Sequence, residues 1–225
     1  MIRTRRDGGI LEITIDRPKA NVIDLAMSRE LGLIYQSYRD DPDLAVAIFR
    51  TEGSRVVSAG WDLKAAAAGD AVDGDYGVGG FGGLQELRDL DKPVIACVDG
   101  MAVGGGFEMA LACDLILASD HSRFCLPEVH SGILADAATL KLTKRIPYHV
   151  AMEMLFTGRW MDAAEASRWG LVNEVLPSNL LEERAWQVAR VLATRSATIS
   201  AMKHITRHAE GRTVSAALAG FTGPY

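Results

Sequence analysis

Features that mark several other classes of protein are missing from this 225-residue sequence. It has three cysteines, Cys97, Cys113 and Cys125, which lie far apart in apolar segments and favour neither a disulfide framework nor a zinc site. No segment has the roughly 20 apolar residues needed to span a bilayer, and the basic N-terminus lacks the apolar core of a signal peptide. We therefore expect a soluble cytoplasmic protein that makes no membrane contact.

An excess of positive charge is also lacking. Lysine and arginine number 24 against 29 acidic residues, for a formal net charge of −5, which argues against binding of nucleic acid. The Gly-x-Gly-x-x-Gly spacing of a dinucleotide site is absent as well. What the chain does have is 48% hydrophobic residues, enough for one sizeable domain, with or without a helical appendage.

The pattern of apolar and polar residues alternates between strand and helix spacing through the first half of the chain. It predicts an α/β fold with a helical C-terminal part. Strands are expected over 10–16, 44–51, 92–100 and 114–120. Helices are expected over 25–38, where Asp24 is the N-cap, over 84–89 and 107–112, and through most of the chain after 151. We assign residues 1–175 to a core domain and 176–225 to a C-terminal helical segment. Ligands bind where such strands end in glycine-bearing turns.

One such turn lies within DGMAVGGGFEMALACD, where Gly104 to Gly106 precede the lone carboxylate of Glu108. A helix beginning at this point leaves its first N–H groups without partners, and a glycine lets a ligand atom approach them. Such donors stabilise a developing oxyanion by about 3–4 kcal/mol each. Glu108 lies one turn past Gly105 and can move protons beside that oxygen. The plainer alternative is an ordinary helix start.

A second donor and a second carboxylate complete this hypothesis. SAGWD at 58–62 has another glycine at a strand-to-helix turn, so the N–H of Trp61 is the candidate donor. Glu128, in FCLPEVHSG, follows Glu108 after a strand and a return, which permits the two carboxylates to converge. Two carboxylates at one site suit the addition or removal of water. The alternative for Glu128 is that Pro-Glu simply begins a helix.

Taken together and in order, these segments resemble the crotonase, or enoyl-CoA hydratase/isomerase, superfamily. The segments are ITIDRPKANVID at 13–24, SAGWDLK at 58–64, DKPVIACVDGMAVGGGFEMALACDLILAS at 91–119, LPEVHSGI at 126–133 and FTGRWMDAAEASRWGLVNEV at 156–175. The resemblance implies an α/β crotonase (ClpP-like) fold with a ββα-type superhelical core. It also implies a homo-oligomer, a trimer or a dimer of trimers.

The resemblance further implies the parts of the site. The N–H groups of Trp61 and Gly105 would form the oxyanion hole for a coenzyme A thioester, and Glu108 and Glu128 the acid/base pair. Asp62, Leu63 and Lys64 would line the coenzyme A site, with Lys64 as a phosphate partner and Arg17 and Lys19 as further candidates. Coenzyme A enters as part of the substrate, and neither a separate cofactor nor a metal is needed.

Two glutamates favour a hydratase or dehydratase over other reactions of this family. The alternatives are double-bond isomerisation, thioester hydrolysis, or a noncatalytic relative that binds acyl-CoA or associates with RNA. GWDLKAAAAG, DYGVGGFGGL and RWGLVNEV resemble the branch that acts on carnitinyl-CoA, whose acyl group carries a trimethylammonium cation. Carboxylates and rings that would contact this cation are Trp61, Asp70, Asp73, Asp75, Tyr76 and Phe81.

The sequence also departs from the family pattern. The proline and glycine pair usual after the second carboxylate are replaced in GILADAATLKLTKRIP, so we expect an altered backbone near Glu128. The sequence ends at GFTGPY, which is short of the family's usual C-terminal helices and predicts a shortened segment there. His204 and His208 have helical spacing but no third ligand nearby, so they are interpreted as surface histidines.

Overall fold

The computed structural model describes residues 1–53, 55–71 and 73–219. The strands are β1 (Ile2–Asp7), β2 (Ile10–Ile15), β3 (Val46–Thr51), β4 (Val56–Ser58), β5 (Val94–Val98), β6 (Met101–Val103), β7 (Leu115–Ser119), β8 (Arg123–Cys125), β9 (Met161–Asp162) and β10 (Glu174–Leu176). The α-helices are α1 (Leu25–Asp40), α2 (Leu63–Ala67), α3 (Gly105–Leu111), α4 (Asp136–Lys141), α5 (Tyr148–Thr157), α6 (Ala163–Arg168), α7 (Ser178–Ala193), α8 (Ser196–Ala209) and α9 (Val214–Ala219). Short 3-10 helices cover Phe81–Gly83, Pro127–Ser131 and Leu142–Lys144.

The strands form a larger and a smaller sheet. The larger has the order β1-β2-β3-β5-β7-β10 and is parallel except between β1 and β2. The smaller has the order β4-β6-β8-β9 and is antiparallel only between β8 and β9. Three times the chain passes from the larger sheet to the smaller, as β3–β4, β5–β6 and β7–β8, and a helix follows each pair. This repeated turn is the ββα superhelical core, and the predicted fold class is confirmed.

The central strands are apolar throughout because both of their faces are covered. Ile48 and Ile95 pack with α7 residues such as Trp186, whereas Ala47 and Phe49 face the main core on the other side. Successive side chains of a strand point to opposite faces, so a strand buried on both sides needs a continuous apolar run. The four predicted strands and helix α1 are therefore present. The Asp24 side chain accepts a hydrogen bond from the Met27 N–H at 2.8 Å, as expected of an N-cap.

One strand was not predicted, and one predicted helix was wrong. Strand β1 was not predicted because its residues IRTRRD are mostly charged, and it lies exposed at the edge of the sheet. The helix expected over 84–89 is absent from this described segment. The helical spacing that suggested it belongs to Leu84, Leu87 and Leu90, which are buried. These leucines lie in an irregular loop that follows two glycines with positive φ, Gly82 and Gly83.

The C-terminal helices differ in how they attach to the body. Helix α7 shares a core with the larger sheet, whereas none of the described side chains of α8 is buried. Ionic contacts attach α8: Lys203 Nζ lies 2.7 Å from Asp114 Oδ2, and His204 Nδ1 lies 2.8 Å from Asp91 Oδ2. The domain boundary at 175/176 stays a prediction. Across the described ranges no helix is long and apolar enough to cross a membrane, and no cluster of potential metal ligands occurs.

Candidate active site

All three consecutive glycines make room for close neighbours, and Gly104 and Gly106 do so on opposite sides of the helix start. Gly104 has φ +54°, and a Cβ on it would lie 2.5 Å from Oε1 of Glu128. A Cβ on Gly106 would lie 2.3 Å from the Ser58 carbonyl oxygen. Real Cβ atoms do not come this close to other heavy atoms, so only glycine allows both contacts. The glycine run therefore brings the start of α3 against strand β4 on one side and against a carboxylate on the other.

Backbone N–H groups from two turns meet at the start of α3. A Cβ on Gly60, at φ +78°, would lie 2.8 Å from the nitrogen of Gly105, so the two turns are in contact. The Ile23 N–H donates to the Gly60 carbonyl and the Asp62 N–H donates to the Ile23 carbonyl, both at 2.8 Å. The N–H of Trp61 between them points the other way. Within the described part of the chain, neither this N–H nor that of Gly105 donates a hydrogen bond.

Glu108 lies in the first turn of α3 and its side chain is buried. Burial raises the pKa of its carboxyl and the charge of Asp136 adds to the rise, whereas backbone N–H groups of α4 and a cation oppose it. The Ala138 N–H donates to Oε1 at 2.8 Å, and the ammonium of Lys141 lies near enough to favour the anion. Lys141 is itself fixed, because its Nζ donates to Oε1 of Gln85 at 2.5 Å. The carboxylate form of Glu108 therefore has a donor and a cation to stabilise it.

Glu128 lies in the 3-10 helix Pro127–Ser131 and is half-buried. Its Oε2 is buried and has no hydrogen-bond partner in the described structure. Burial raises the pKa of this carboxyl to about 7, and the negative charge of Glu108 adds to the rise. The charge of Glu108 is therefore close enough to act on Glu128, and Glu128 is the carboxyl that holds a proton near neutral pH.

Three aromatic rings stand beside the start of α3. The ring centroids of Trp61 and Tyr76 are 5.6 Å apart, those of Tyr76 and Phe81 are 5.6 Å apart, and those of Trp61 and Phe81 are 6.2 Å apart. A Cβ on Gly105 would lie 2.4 Å from the Phe81 ring. This aromatic cluster, formed by Trp61, Tyr76 and Phe81, thus borders both backbone turns. Burial raises the pKa of Tyr76, and nearby carboxylates raise it further; they are Asp136, Asp73, Glu108 and Asp70.

Among the residues predicted to contact coenzyme A, some are exposed and others have side chains already bonded within the protein. The Asp62 carboxylate caps α2 through the N–H of Lys64 and accepts from Arg17 Nη2 at 2.7 Å, so its side chain serves the local fold. Leu63 and Lys64 follow on α2 and are exposed, as is Lys19. The structure therefore brings together Trp61, Gly105, Glu108 and Glu128. Lys64 and Lys19 are exposed, on segments close in sequence to Trp61 and to Arg17 respectively. Arg17 itself is paired with the Asp62 carboxylate.

The fold and the paired carboxylates define a crotonase-type protein. The sequence matches the Enoyl-CoA hydratase/isomerase family over residues 5–220, and the chain belongs to that family. It is 52% identical over 204 residues to a carnitinyl-CoA dehydratase from Citrobacter koseri, covering 90% of this chain and 78% of that protein. It is 51% identical over 204 residues to a carnitinyl-CoA dehydratase from Escherichia coli K12, with the same coverage. The predicted resemblance is confirmed, and the chain is an enzyme of this family.

Solved structures agree with this assignment. The crystal structure of an enoyl-CoA hydratase from Mycobacterium tuberculosis matches with a TM-score of 0.89 at 36% identity, over 97% of this chain and 86% of that chain. The crystal structure of a carnitinyl-CoA hydratase from Mycobacterium avium matches with a TM-score of 0.87 at 35% identity, over 96% and 84% of the two chains. The crotonase fold therefore extends over nearly the whole sequence.

Proposed function

We propose that this enzyme adds water reversibly to an α,β-unsaturated acyl-CoA, and that its acyl group is the trimethylammonium-bearing one of carnitinyl-CoA and crotonobetainyl-CoA. The observation that carries the reaction is the pair of neighbouring glutamates with unequal environments, beside two backbone N–H groups that have no partner in the described chain. The choice of acyl group is supported by relatives that are about half identical and are named carnitinyl-CoA dehydratase.

The N–H groups of Trp61 and Gly105 bind the thioester oxygen in this proposal. They lie on two turns that touch, since a Cβ on Gly60 would be 2.8 Å from the Gly105 nitrogen. Both turns are held by backbone contacts, so the donors are oriented before the substrate arrives. Negative charge that develops on the thioester oxygen during reaction is then stabilised without rearrangement of the protein.

The two glutamates divide the proton transfers according to their environments. For hydration, the neutral carboxyl of Glu128 donates its proton to the α-carbon, while the carboxylate of Glu108 takes a proton from the attacking water. After the reaction the proton is on Glu108 and Glu128 is the carboxylate, so a proton must leave Glu108 and one must return to Glu128 before the next hydration. Dehydration is the reverse: Glu128 removes the α-proton and Glu108 protonates the departing hydroxyl. The pair therefore works with a single shared proton in both directions.

Coenzyme A is held as part of the substrate, and no separate cofactor is required for these steps. Lys64 and Lys19 are exposed on the two segments beside the Trp61 turn, which suits contacts with phosphates. Leu63, exposed between Asp62 and Lys64, offers an apolar contact beside them. Assembly into a trimer or a dimer of trimers belongs to the same proposal.

The direct test follows the loss of the conjugated enoyl-thioester absorbance. Crotonobetainyl-CoA and crotonyl-CoA are compared with the wild type and with Glu108→Gln, which keeps the shape of the side chain but cannot accept the proton. We expect turnover by the wild type and a loss of about 10²–10⁴-fold in the variant, the usual range for removal of a general base.

Two results would overturn the proposal. Full activity of Glu108→Gln would contradict the two-carboxylate mechanism. Binding of both thioesters by the wild type without loss of absorbance would contradict hydration. In that case, assays for double-bond migration and for release of the coenzyme A thiol distinguish isomerase from hydrolase activity, and a negative result in both indicates a noncatalytic acyl-CoA-binding protein.

A further inference from the structure

We propose that Asp136, together with the aromatic cluster, forms the subsite for the quaternary ammonium end of the acyl group and so determines the preference for a cationic substrate. This inference rests on the proposed function, because it concerns the acyl end of the same site. The sequence pattern pointed instead to the acidic residues of the loop before Phe81, and Asp136 was not among the candidates.

The fold places Asp136 next to the reacting groups. Asp136 begins α4, and the Ala138 N–H in the same turn donates to Oε1 of Glu108 at 2.8 Å. The first turn of α4 is therefore in direct contact with the buried catalytic carboxyl. Asp136 is exposed, and in the described part of the chain it forms no ion pair. A carboxylate at this position is free to receive a cation from the substrate.

The aromatic cluster provides a second wall of the same space. The Phe81 ring contacts Gly105, and the cluster includes the side chain of Trp61 itself. The rings therefore lie beside both N–H groups that we propose to bind the thioester oxygen. The rings pack against one another at 5.6–6.2 Å, so a cation lies at their outer side rather than between them. Tyr76 links the two walls, because Asp136 is the carboxylate that acts on it most strongly.

This combination matches the chemistry of a trimethylammonium group. Such a group has no N–H donor, so it is recognised by ring faces and by the charge of a nearby carboxylate rather than by hydrogen bonds. In the proposed binding mode the thioester oxygen accepts from the two N–H groups, and the reacting carbons lie between Glu108 and Glu128. The trimethylammonium group, a few bonds further along the acyl chain, then lies against the adjoining wall. That wall is formed by Asp136 and the aromatic cluster.

The loop acids are less suited to this role. The Asp75 carboxylate accepts a hydrogen bond from the Gly77 N–H at 2.8 Å, and Asp75 is not among the charges that act on Tyr76. Asp73 and Asp70 act on Tyr76, but less strongly than Asp136. These two residues add to the negative potential at the cluster, whereas Asp136 is the carboxylate that raises the pKa of Tyr76 most.

The test compares kcat/KM for crotonobetainyl-CoA and crotonyl-CoA in the wild type and in Asp136→Asn, which keeps the side-chain shape and removes the charge. We expect kcat/KM for the cationic substrate to fall about 10–100-fold and that for crotonyl-CoA to change by less than about threefold. Asp43→Asn is the matched control, because Asp43 is exposed and precedes β3, at the edge of the sheet away from the strand ends that carry the site. We expect it to change neither value.

The ring contribution is tested separately with Tyr76→Leu and Tyr76→Phe. Leucine removes the ring and should lower kcat/KM for the cationic substrate selectively, whereas phenylalanine should retain it. Equal losses on both substrates in Asp136→Asn, or no loss on either, would overturn the subsite. So would wild-type hydration of crotonyl-CoA without hydration of crotonobetainyl-CoA. Wild type that hydrates neither thioester contradicts the proposed function itself, which keeps the two failures distinct.

Discussion

Glu108 and Glu128 are the same residue type at one site, yet the fold treats them differently. Glu108 is buried, but it accepts the Ala138 N–H and has Lys141 nearby, both of which favour its anion. Glu128 is less buried, but its Oε2 has no partner in the described structure, and its pKa rises to about 7. The backbone donor and the cation beside Glu108 limit the pKa rise that its deeper burial would cause, so the less buried Glu128 holds the shared proton.

The positions of the two side chains in the fold explain this contrast. Glu108 projects from a helix whose first turn is covered by the first turn of α4, so a backbone donor reaches it. Glu128 belongs to a short 3-10 helix, and its carboxyl reaches back to Gly104. Glycine at that contact leaves room for the Glu128 carboxyl but provides no hydrogen-bond donor and no cation that would stabilise its anion.

Among the variants that compare the two glutamates, the largest effect is expected from Gly104→Ala, which places a Cβ against the Glu128 carboxyl. The added Cβ would lie 2.5 Å from Oε1 and must displace the carboxyl. Because a misplacement of about 1 Å at a reacting group can cost about 10²-fold, we expect kcat/KM to fall by about that factor. The measurement is the rate of enoyl-thioester hydration, together with the free energy of unfolding from urea titration.

Gly170→Ala is the matched control for that variant. Gly170 also has positive φ, +77°, but a Cβ on it would meet no atom within 4 Å. Gly170→Ala should lose about 1–2 kcal/mol of stability from its positive φ. Gly104→Ala should lose more, because φ +54° with ψ −127° lies outside the left-handed helical region. Only Gly104→Ala should lose activity. Wild-type activity in Gly104→Ala would contradict the described contact with Glu128.

The pH dependence of kcat/KM tests the shared proton. Above pH about 7 the proton of Glu128 is lost, so kcat/KM should fall by about tenfold per pH unit. Below the raised pKa of Glu108 both carboxyls are protonated, and kcat/KM should fall again. Since the overall reaction releases no proton, hydration and dehydration should show the same bell-shaped profile. A profile that passes through neutrality without a change, or that differs between the two directions, would contradict the single shared proton.

The smallest effect is expected from Lys141→Met, which acts on the other member of the pair. Removing the ammonium raises the pKa of Glu108 further, so the acidic limb of the profile should move to higher pH. At mildly acidic pH we expect a loss of about 3–10-fold in kcat/KM. The basic limb should stay in place, because Lys141 is not among the groups that act on Glu128.

Lys144→Met provides the comparison for Lys141→Met. Lys144 is one turn away and exposed, and it pairs with Glu210 at the surface. Neither limb should move in that variant. If Lys141→Met shifts both limbs, or neither, the separate stabilisation of Glu108 is wrong.

The residues of the proposed reacting centre could be selected from the sequence because the pattern that marks them is local. Trp61 and Gly105 each follow a glycine at a strand-to-helix turn, and Glu108 lies one turn beyond the second of them. Glu128 could be proposed as a partner, although spacing alone left its convergence with Glu108 open. The prediction of a helix over 84–89 was wrong although it also used a local pattern. The spacing of the leucines is helical, but the two glycines before them have positive φ and change the direction of the chain.

The residues that distinguish the two glutamates could not be predicted. Ala138 reaches Glu108 from 30 positions along the chain, and Asp136 and Lys141 arrive with it on α4. The only signal was the missing proline and glycine pair in this segment, which predicted an altered backbone but not its contacts. The structure resolves that segment into a helix whose first turn covers the catalytic carboxyl.

The amino-acid sequence by itself determined the apolar strands and the glycine turns and indicated the side chains that we propose to react, because each depends on neighbouring residues and their periodicity. Only the tertiary structure decided which carboxyl has the higher pKa and which acidic residue acts most strongly on Tyr76. A pKa and a binding preference depend on burial and on charges within a few ångströms, and those neighbours come from segments that are far apart along the chain.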